Sequence, residues 1–176
     1  MENYKKNLKL LENNHVYSTE MEHDACGVGV IASTEGKKSR QIVEYGIEAL
    51  KAVWHRGAVD ADGKTGDGAG IHVEIPKDFF IEKIEVTGHD YDNAEICVGM
   101  IFLPRNDYAA QESCKTIVES ELTKNNFSIY GWRQVPVNPK VLGDKALQTM
   151  PEIIQVLFKS NDTDLHDKKV ERKIYE

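Results

Sequence analysis

Residues 23–32 read His-Asp-Ala-Cys-Gly-Val-Gly-Val-Ile-Ala, and the fold prediction starts from this stretch. From Cys26 to Ala32 every residue is apolar, β-branched or glycine, and the polar cluster 33–36 ends the run. A short apolar run bounded by turn residues is typical of a buried strand. The sequence therefore predicts a buried strand over 26–32 that begins with a cysteine and ends in a turn.

Downstream of this run, helices and strands are predicted in roughly the order βαββαβαβ, which indicates a layered architecture of helices and sheet. Residues 39–54 repeat apolar side chains every three or four positions behind Ser39, a pattern typical of an amphipathic helix with an N-cap. Five glycines within 55–70 predict a loop. Next, a half-buried strand is predicted over 71–75, closed by Pro76, and the side chains of Phe79 and Phe80 are predicted to pack under a loop. A strand over 96–103 and a helix over 107–125, capped by Asp107, follow. The last predictions are a strand over 128–137, a turn and short helix over 138–150, a strand over 153–158 and a polar loop over 161–169.

Composition and charge exclude several classes of partner. The 176 residues carry 22 Lys and Arg against 29 Asp and Glu, a net charge of −7, and no basic cluster stands out. This argues against nucleic acid or a membrane surface as a partner, because both require a positive footprint. No stretch approaches the ~20 apolar residues of a membrane span, and no secretory leader is recognisable. We therefore expect one domain in the cytoplasm.

The three cysteines are Cys26, Cys97 and Cys114. Their wide spacing, without a C-x-x-C pair or nearby histidines, argues against a disulfide framework or a zinc site, so we expect no metal. Cys97 and Cys114 fall within apolar or helical segments and are predicted to be core or near-core residues.

Cys26 allows two interpretations. It is a core cysteine at a strand end, which spacing alone favours, or it is a nucleophile. A free thiol has a pKa of ~8.5 and needs a base at neutral pH, and a nearby histidine is one source of that base. The other source is the α-amino group of Cys26 itself, with a pKa of ~7.7 to 8.0. That mechanism requires cleavage of the Ala25–Cys26 bond, which divides the chain into a leader, 1–25, and a mature part, 26–176.

Arg56 lies in the sequence Trp-His-Arg-Gly at the predicted exit of the helix over 39–54. Arginine there could hold a carboxylate by two parallel hydrogen bonds, or could simply complement the helix dipole. The nearby run 65–70, Thr-Gly-Asp-Gly-Ala-Gly, lacks the Lys-Ser/Thr pair of a phosphate-binding loop, and we exclude nucleotide binding. His72 and His89 have no recognisable partners and are interpreted as satisfied surface or core residues.

Six segments together resemble the amino-terminal glutaminase region of the glutamate synthase large (alpha) subunit, in letters and in spacing. The resemblance covers about residues 24–175, and the ordered set is more specific than any one motif. It reverses the interpretation of Cys26 that spacing alone favours. The segments are 23–29, 55–58, 62–71, 131–138, 142–143 and 150–153 with Gln155.

This resemblance implies an N-terminal-nucleophile fold of the α+β class, an αββα four-layer sandwich, here incomplete at its C-terminus. It implies that Cys26 attacks the side-chain amide of L-glutamine, forming a thioester and releasing ammonia, with its own amino group as base. Arg56 would lie at the active site, either binding substrate or orienting the nucleophile. In the whole enzyme the ammonia would convert 2-oxoglutarate to glutamate at a flavin site. FMN, an iron–sulfur cluster and the remaining synthase domains are expected outside this segment, with a small electron-donor subunit as a further partner.

One departure from the family pattern concerns the oxyanion hole, which in the family uses an Asn-Gly pair. No Asn-Gly dipeptide occurs in the chain. Loss of one oxyanion donor typically costs ~10² to 10³ in kcat, so we expect this segment alone to be inactive and to be part of a longer product. Two alternatives stay open: a non-catalytic glutamine-binding module of the same fold, and a glutaminase domain that serves another acceptor.

Overall fold

A computed structural model of the chain describes residues 6, 9, 27–53, 57, 59–66, 68–162 and 172–174. The chain divides into two compact units, Met1–Arg56 and Gly57–Glu176. Apart from residues 6 and 9, the predicted leader lies outside the described residues, and so do Cys26 and Arg56.

The first unit contains helix α1, Arg40–Ala52, as predicted. The Ser39 hydroxyl oxygen accepts a hydrogen bond from the Gln41 backbone N–H at 3.2 Å, which confirms the predicted N-cap. The predicted buried strand is wrong over its described positions, 27–32, where the backbone is irregular and Val28 is 89% exposed. An apolar run becomes a strand only when a second extended segment pairs with it. The described residues 33–53 form a turn and a helix, so they provide no strand to pair with 27–32.

The second unit is built on a three-stranded antiparallel sheet with the order β1–β3–β2. Strand β1 is Cys97–Leu103, β2 is Phe127–Gln134 and β3, the central strand, is Glu152–Ser160. The predictions of strands at 96–103, 128–137 and 153–158 are confirmed, with ends displaced by a few residues. A β-bulge between Ile129 and Gly131 leaves Tyr130 as the extra residue of β2.

Among the described residues, the helices that accompany the sheet include α2, Lys77–Val86; α3, Tyr108–Lys124; and the short α4, Asp144–Thr149, which follows a 3₁₀ turn at Pro139–Val141. Helix α3 confirms the prediction over 107–125. Its cap is Asp107, whose Oδ1 accepts a hydrogen bond from the Ala110 N–H at 2.9 Å. The turn and short helix predicted over 138–150 are confirmed by the 3₁₀ turn and α4.

Two predictions between the glycine loop and β1 are wrong. Residues 71–75 form no strand, and Ile71 and Val73 are each nearly half exposed. Their alternating pattern does not suffice, because no described strand pairs with them. Helix α2 follows directly, and it contains Phe79 and Phe80, which were expected under a loop. The spacing of Phe80 and Ile84, four residues apart and both buried, is the helical signal that was missed.

Two apolar clusters lie on the two faces of the sheet. On one face Phe80 and Ile84 of α2 pack with Tyr130 and Leu157. On the other face Val118 and Leu122 of α3 pack against a cluster formed by Cys97, Phe127, Val156 and Phe158. The second unit is therefore of the α+β class, an antiparallel sheet between helices. Each fully buried aliphatic side chain, such as that of Leu157, contributes ~1.5 to 3 kcal/mol.

Candidate active site

The described part of the glycine-rich loop is a closed turn. Val59 and Gly66 form an isolated antiparallel bridge, and the Asp60 N–H donates to the Thr65 carbonyl at 2.7 Å. Between them the Gly63 N–H donates to the Asp60 carbonyl at 2.9 Å, with Gly63 at φ +67°, in the left-handed region that glycine favours. The predicted loop is confirmed, and residues 59–66, called the 59–66 turn below, have a defined conformation.

The carboxylate of Asp62 stabilises this turn by accepting hydrogen bonds from residues of the turn itself. Oδ1 accepts hydrogen bonds from the backbone N–H groups of Lys64, at 2.9 Å, and Thr65, at 2.7 Å. Oδ2 accepts the Thr65 hydroxyl at 2.5 Å. These bonds, the one from the Thr65 hydroxyl foremost, lower the pKa of Asp62 to about 2, so its carboxylate is charged at neutral pH.

The 59–66 turn packs closely against Gly143, the residue immediately before α4. A Cβ built at Gly143 would lie 2.6 Å from the Thr65 backbone nitrogen and closer still to the Thr65 hydroxyl and the Asp62 carboxylate. Lys145, one residue into α4 from its start, forms an ion pair with Asp60. The structure therefore brings together two of the quoted motif segments, 62–71 and 142–143, which are far apart in the sequence.

Neither of the two predicted site residues is among those described. Cys26 and Arg56 fall in gaps, so their proposed roles stay predictions. The described residues that adjoin them in sequence are Gly27 and Gly57, both exposed.

The other two cysteines behave as predicted for core and near-core residues. Cys97 is buried, and burial, with a smaller contribution from the negative charge of Glu95, raises the pKa of its thiol to about 11. Cys114 is half-buried on α3, and both thiols are free. A thiol with so high a pKa is protonated at neutral pH, which makes Cys97 an unsuitable nucleophile.

The histidines in the described ranges offer no catalytic pair. His72 is exposed. His89 is exposed too, with Nδ1 3.2 Å from the Thr87 hydroxyl and its ring packed edge-on to that of Tyr130. The interpretation of His89 as a satisfied residue is confirmed.

The described ranges contain neither a candidate metal centre nor a candidate membrane helix. Within them, no three or more His, Cys, Asp or Glu side chains are grouped so as to hold a metal ion. None of the helices in those same ranges has the length and apolar character needed to cross a bilayer.

A polar cluster that sequence analysis missed joins Asp92, Tyr130 and Lys159. The Tyr130 hydroxyl donates to Asp92 Oδ1 at 2.6 Å, and Lys159 pairs with Oδ2. The bond from Lys159, followed by that from Tyr130, lowers the pKa of Asp92 to about 2. Burial and the adjacent carboxylate raise the pKa of Tyr130 well above its usual range. Asp92, Tyr130 and Lys159 come from three distant segments of the sequence, so no local sequence pattern predicts this cluster.

The sequence matches one protein family over most of its length. Residues 26–176 match the family described as class II glutamine amidotransferases. The chain therefore belongs to the class II glutamine amidotransferases.

Within that family, the similarity is to glutamate synthases. The chain is 51% identical over 172 residues to the glutamate synthase [NADPH] large chain of Azospirillum brasilense, a match that covers 98% of this chain and 11% of that protein. It is 40% identical over 155 residues, 88% of this chain and 9% of the relative, to ferredoxin-dependent glutamate synthase 1 of Arabidopsis thaliana. It is 39% identical over 149 residues, 81% of this chain and 7% of the relative, to the glutamate synthase [NADH] of Saccharomyces cerevisiae. The chain spans about a tenth of the length of these relatives.

Proposed function

We propose that this chain is the glutaminase segment of a cytoplasmic glutamate synthase, which hydrolyses L-glutamine through Cys26 and supplies the ammonia for glutamate formation from 2-oxoglutarate. One observation carries the proposal: the family match begins at Cys26. That is the residue that becomes N-terminal if a leader of residues 1–25 is removed. The names of the relatives support synthesis of glutamate as the destination of the ammonia.

The bonds that form and break in the proposed chemistry involve only Cys26, glutamine and water. Once the Ala25–Cys26 bond is cleaved, the Cys26 amino group accepts the thiol proton, and the thiolate sulfur attacks the side-chain amide carbon of glutamine. The C–N bond then breaks, and the departing nitrogen takes a proton and leaves as ammonia. The remaining glutamyl thioester is hydrolysed by water, which releases glutamate and restores the thiol.

Arg56 is the proposed substrate-binding residue. A guanidinium can bind the α-carboxylate of glutamine by two parallel hydrogen bonds, which fixes the direction in which the side-chain amide extends. The resemblance of the segment 55–58, His-Arg-Gly-Ala, to the corresponding motif of the glutamate synthase glutaminase region supports this assignment.

The oxyanion of the tetrahedral intermediate also needs donors. The chain has no Asn-Gly dipeptide to supply them, so we propose that the segment alone is inactive and that the donors belong to another part of the protein.

The proposed finer architecture is the αββα four-layer sandwich. The observed antiparallel sheet with its flanking helices is compatible with one sheet layer and one helix layer of this sandwich. On β1 the side chains of Met100 and Phe102 are 48% and 63% exposed, and they alternate with the positions that face α3, so they share a sheet face with Val98. Exposed apolar side chains on a sheet face support a further layer that covers them.

Cofactors and partners of the proposed synthase lie outside this segment. The described residues offer no set of ligands for an iron–sulfur cluster, so we assign FMN and the cluster to other domains, and no step above depends on them. The name of the Azospirillum relative, a large chain, supports a smaller electron-donor subunit as a partner.

The decisive test of the proposed function is Cys26→Ser in the full-length protein. Glutamine-dependent glutamate formation should be lost, while formation from added ammonia should continue. Cys114→Ser is the matched control, because Cys114 is a half-buried helix residue that should leave both activities unchanged. Glutamine use unchanged by Cys26→Ser would refute the proposal.

A second measurement separates the enzyme from a glutamine-binding module. The intact mass of the purified protein should show loss of residues 1–25, and a glutamine-mimicking electrophile should label Cys26. A retained leader together with an unlabelled Cys26 would instead indicate a non-catalytic module.

A further inference from the structure

We infer that a cavity between the N-terminal half of α3, the end of β2 and the start of β3 is a binding site for a small carboxylate with an apolar body, and that Arg105 and Lys115 bind its carboxylate group. The inference does not rest on the proposed function. Every residue that carries it belongs to the second unit, and none of them is assigned a part in the glutaminase reaction.

The cavity has the size of a small-molecule site. Its volume is about 470 Å³, and it is partly open to solvent. Pockets that bind small molecules typically measure ~300 to 1,000 Å³. The apolar part of its wall includes the buried side chain of Ile154 and the ring of Trp132, whose indole N–H donates to Glu119 Oε1 at 2.6 Å. Because this bond fixes the indole, the wall is preformed for the apolar body of a ligand.

Arg105 provides a guanidinium that pairs with no carboxylate among the described residues. Its Nη1 donates to the Met150 Sδ at 3.7 Å, and a thioether is a weak acceptor. The backbone that carries Arg105 is fixed by the buried Gln111, whose side-chain nitrogen donates to the Pro104 carbonyl at 2.7 Å and to the Arg105 carbonyl at 3.3 Å. A guanidinium with donors to spare can bind a carboxylate by two parallel hydrogen bonds.

Lys115 adds a second positive charge from α3. Its Nζ pairs with Glu112 at 2.8 Å, but the Glu112 side chain is 72% exposed, against 28% for Lys115. An ion pair with so exposed a partner is weak, and an ammonium group has three donors, so Lys115 can also bind a ligand. The third cation of the wall, Arg133, is engaged elsewhere: its guanidinium donates to Gln155 Oε1 at 2.6 Å and lies over the Phe79 ring.

The charges of the cavity suit a carboxylate better than a phosphate. Glu152, also in the wall, carries a negative charge and accepts a hydrogen bond from the Gln134 side chain. Arg105 and Lys115 together exceed it by one positive charge, which one carboxylate neutralises and a doubly charged phosphate overcompensates. The start of α3 adds no anion site, because the Asp107 carboxylate already caps it.

The test is a saturation-transfer NMR titration of the full-length protein with 3-phenylpropionate. The uncharged 3-phenylpropionamide has nearly the same shape and serves as the matched ligand, and inorganic phosphate is the competitor. The carboxylate should bind with a Kd of ~1 mM, and the amide ~10-fold more weakly, because it lacks the charge that Arg105 recognises. Lack of binding by the carboxylate, equal binding of the amide, or displacement by equimolar phosphate would overturn the inference.

Charge variants separate this site from any other carboxylate site of the full-length protein. Arg105→Gln should weaken the binding of 3-phenylpropionate by ~10-fold, and Lys115→Gln by a smaller factor. Arg105 is exposed, so its replacement should leave the fold intact. Lys124→Gln is the matched control for Lys115→Gln, because Lys124 also lies on α3 and pairs with a glutamate three residues before it, yet does not line the cavity. It should bind 3-phenylpropionate like the wild type.

Glu152→Gln distinguishes a ligand contact from a merely structural role. A substitution that only loosens the cavity weakens binding, whereas removal of this negative charge with retention of the side-chain shape should strengthen the binding of 3-phenylpropionate by ~2- to 10-fold. Wild-type affinity in Arg105→Gln, or weaker binding in Glu152→Gln, would overturn the inference.

Discussion

The hydroxyl of Tyr130 donates a 2.6 Å hydrogen bond to Asp92 Oδ1, and this bond joins the loop before β1 to the bulge of β2. Lys159, at the end of β3, pairs with the other carboxylate oxygen and lies over the Tyr130 ring at 5.6 Å. The Tyr130 side chain is buried against Ile84 and Leu157, so its polar end reaches a charged partner at the edge of an apolar cluster.

Tyr130→Phe should destabilise the chain by ~0.5 to 3 kcal/mol, because it removes a hydrogen bond to a charged group and keeps the buried ring. Unfolding in urea, followed by tryptophan fluorescence, measures the change. Tyr108→Phe is the matched control, since Tyr108 is 77% exposed and its replacement should change the stability by less than ~0.5 kcal/mol. Equal effects of the two substitutions would contradict the structural role of Tyr130.

Stability should fall in acid partly through Asp92. Its pKa is about 2 in the folded chain, against ~3.9 for an unfolded aspartate. A depressed folded pKa stabilises the fold at pH values above the unfolded pKa, and the contribution disappears as the pH falls from ~5 towards 2. The urea midpoint, measured between pH 2 and 6, should depend less steeply on pH in Asp92→Asn than in the wild type. An identical slope in the variant would show that Asp92 has no such linkage.

Cys97 should not react with iodoacetamide at pH 8 in the folded chain, because its thiol is buried and has a pKa of about 11. Cys114, half-buried on α3, should be modified first of the two. Peptide mass spectrometry after timed labelling distinguishes the sites, and denatured protein, in which every cysteine should react, is the control. Equal native rates at Cys97 and Cys114 would disprove the burial of Cys97.

Ile84→Ala should destabilise the chain by ~2 to 5 kcal/mol, since Ile84 is fully buried between α2 and the sheet. Val86→Ala provides a control in the same helix, because Val86 is 82% exposed and should tolerate the change within ~0.5 kcal/mol. Denaturant titration of both variants measures the difference. A small effect at Ile84 would mean that α2 is not docked on the sheet.

Helices α1 and α3 could be predicted from the sequence because their signals are local. Ser39 and Asp107 each cap a helix whose apolar residues recur at helical spacing, and cap and period lie within a few residues of each other. Helix α2 also has a local signal in Phe80 and Ile84. The prediction of a strand closed by Pro76 overlooks this signal, because a proline that can end a strand can equally be the N-cap of a helix, as Pro76 is here.

The two wrong strand predictions, over 26–32 and 71–75, have a common cause. Each segment has the composition of a strand, and β1, with a similar apolar run, is one. The difference is that β1 pairs with β3, beginning with residue 97 opposite residue 158. Neither 27–32 nor 71–75 pairs with a described strand. A strand is a property of two segments, and one segment's composition cannot reveal its partner.

By itself the sequence determined the family, the candidate nucleophile Cys26, the candidate substrate-binding residue Arg56 and the helices with clear caps, because motifs and caps are read over short distances along the chain. Only the tertiary structure decided that Asp62 rests on Gly143 and that Asp92 joins Tyr130 and Lys159. These contacts depend on where the chain returns after tens of residues, and that path is set by the packing of α2 and α3 on the sheet.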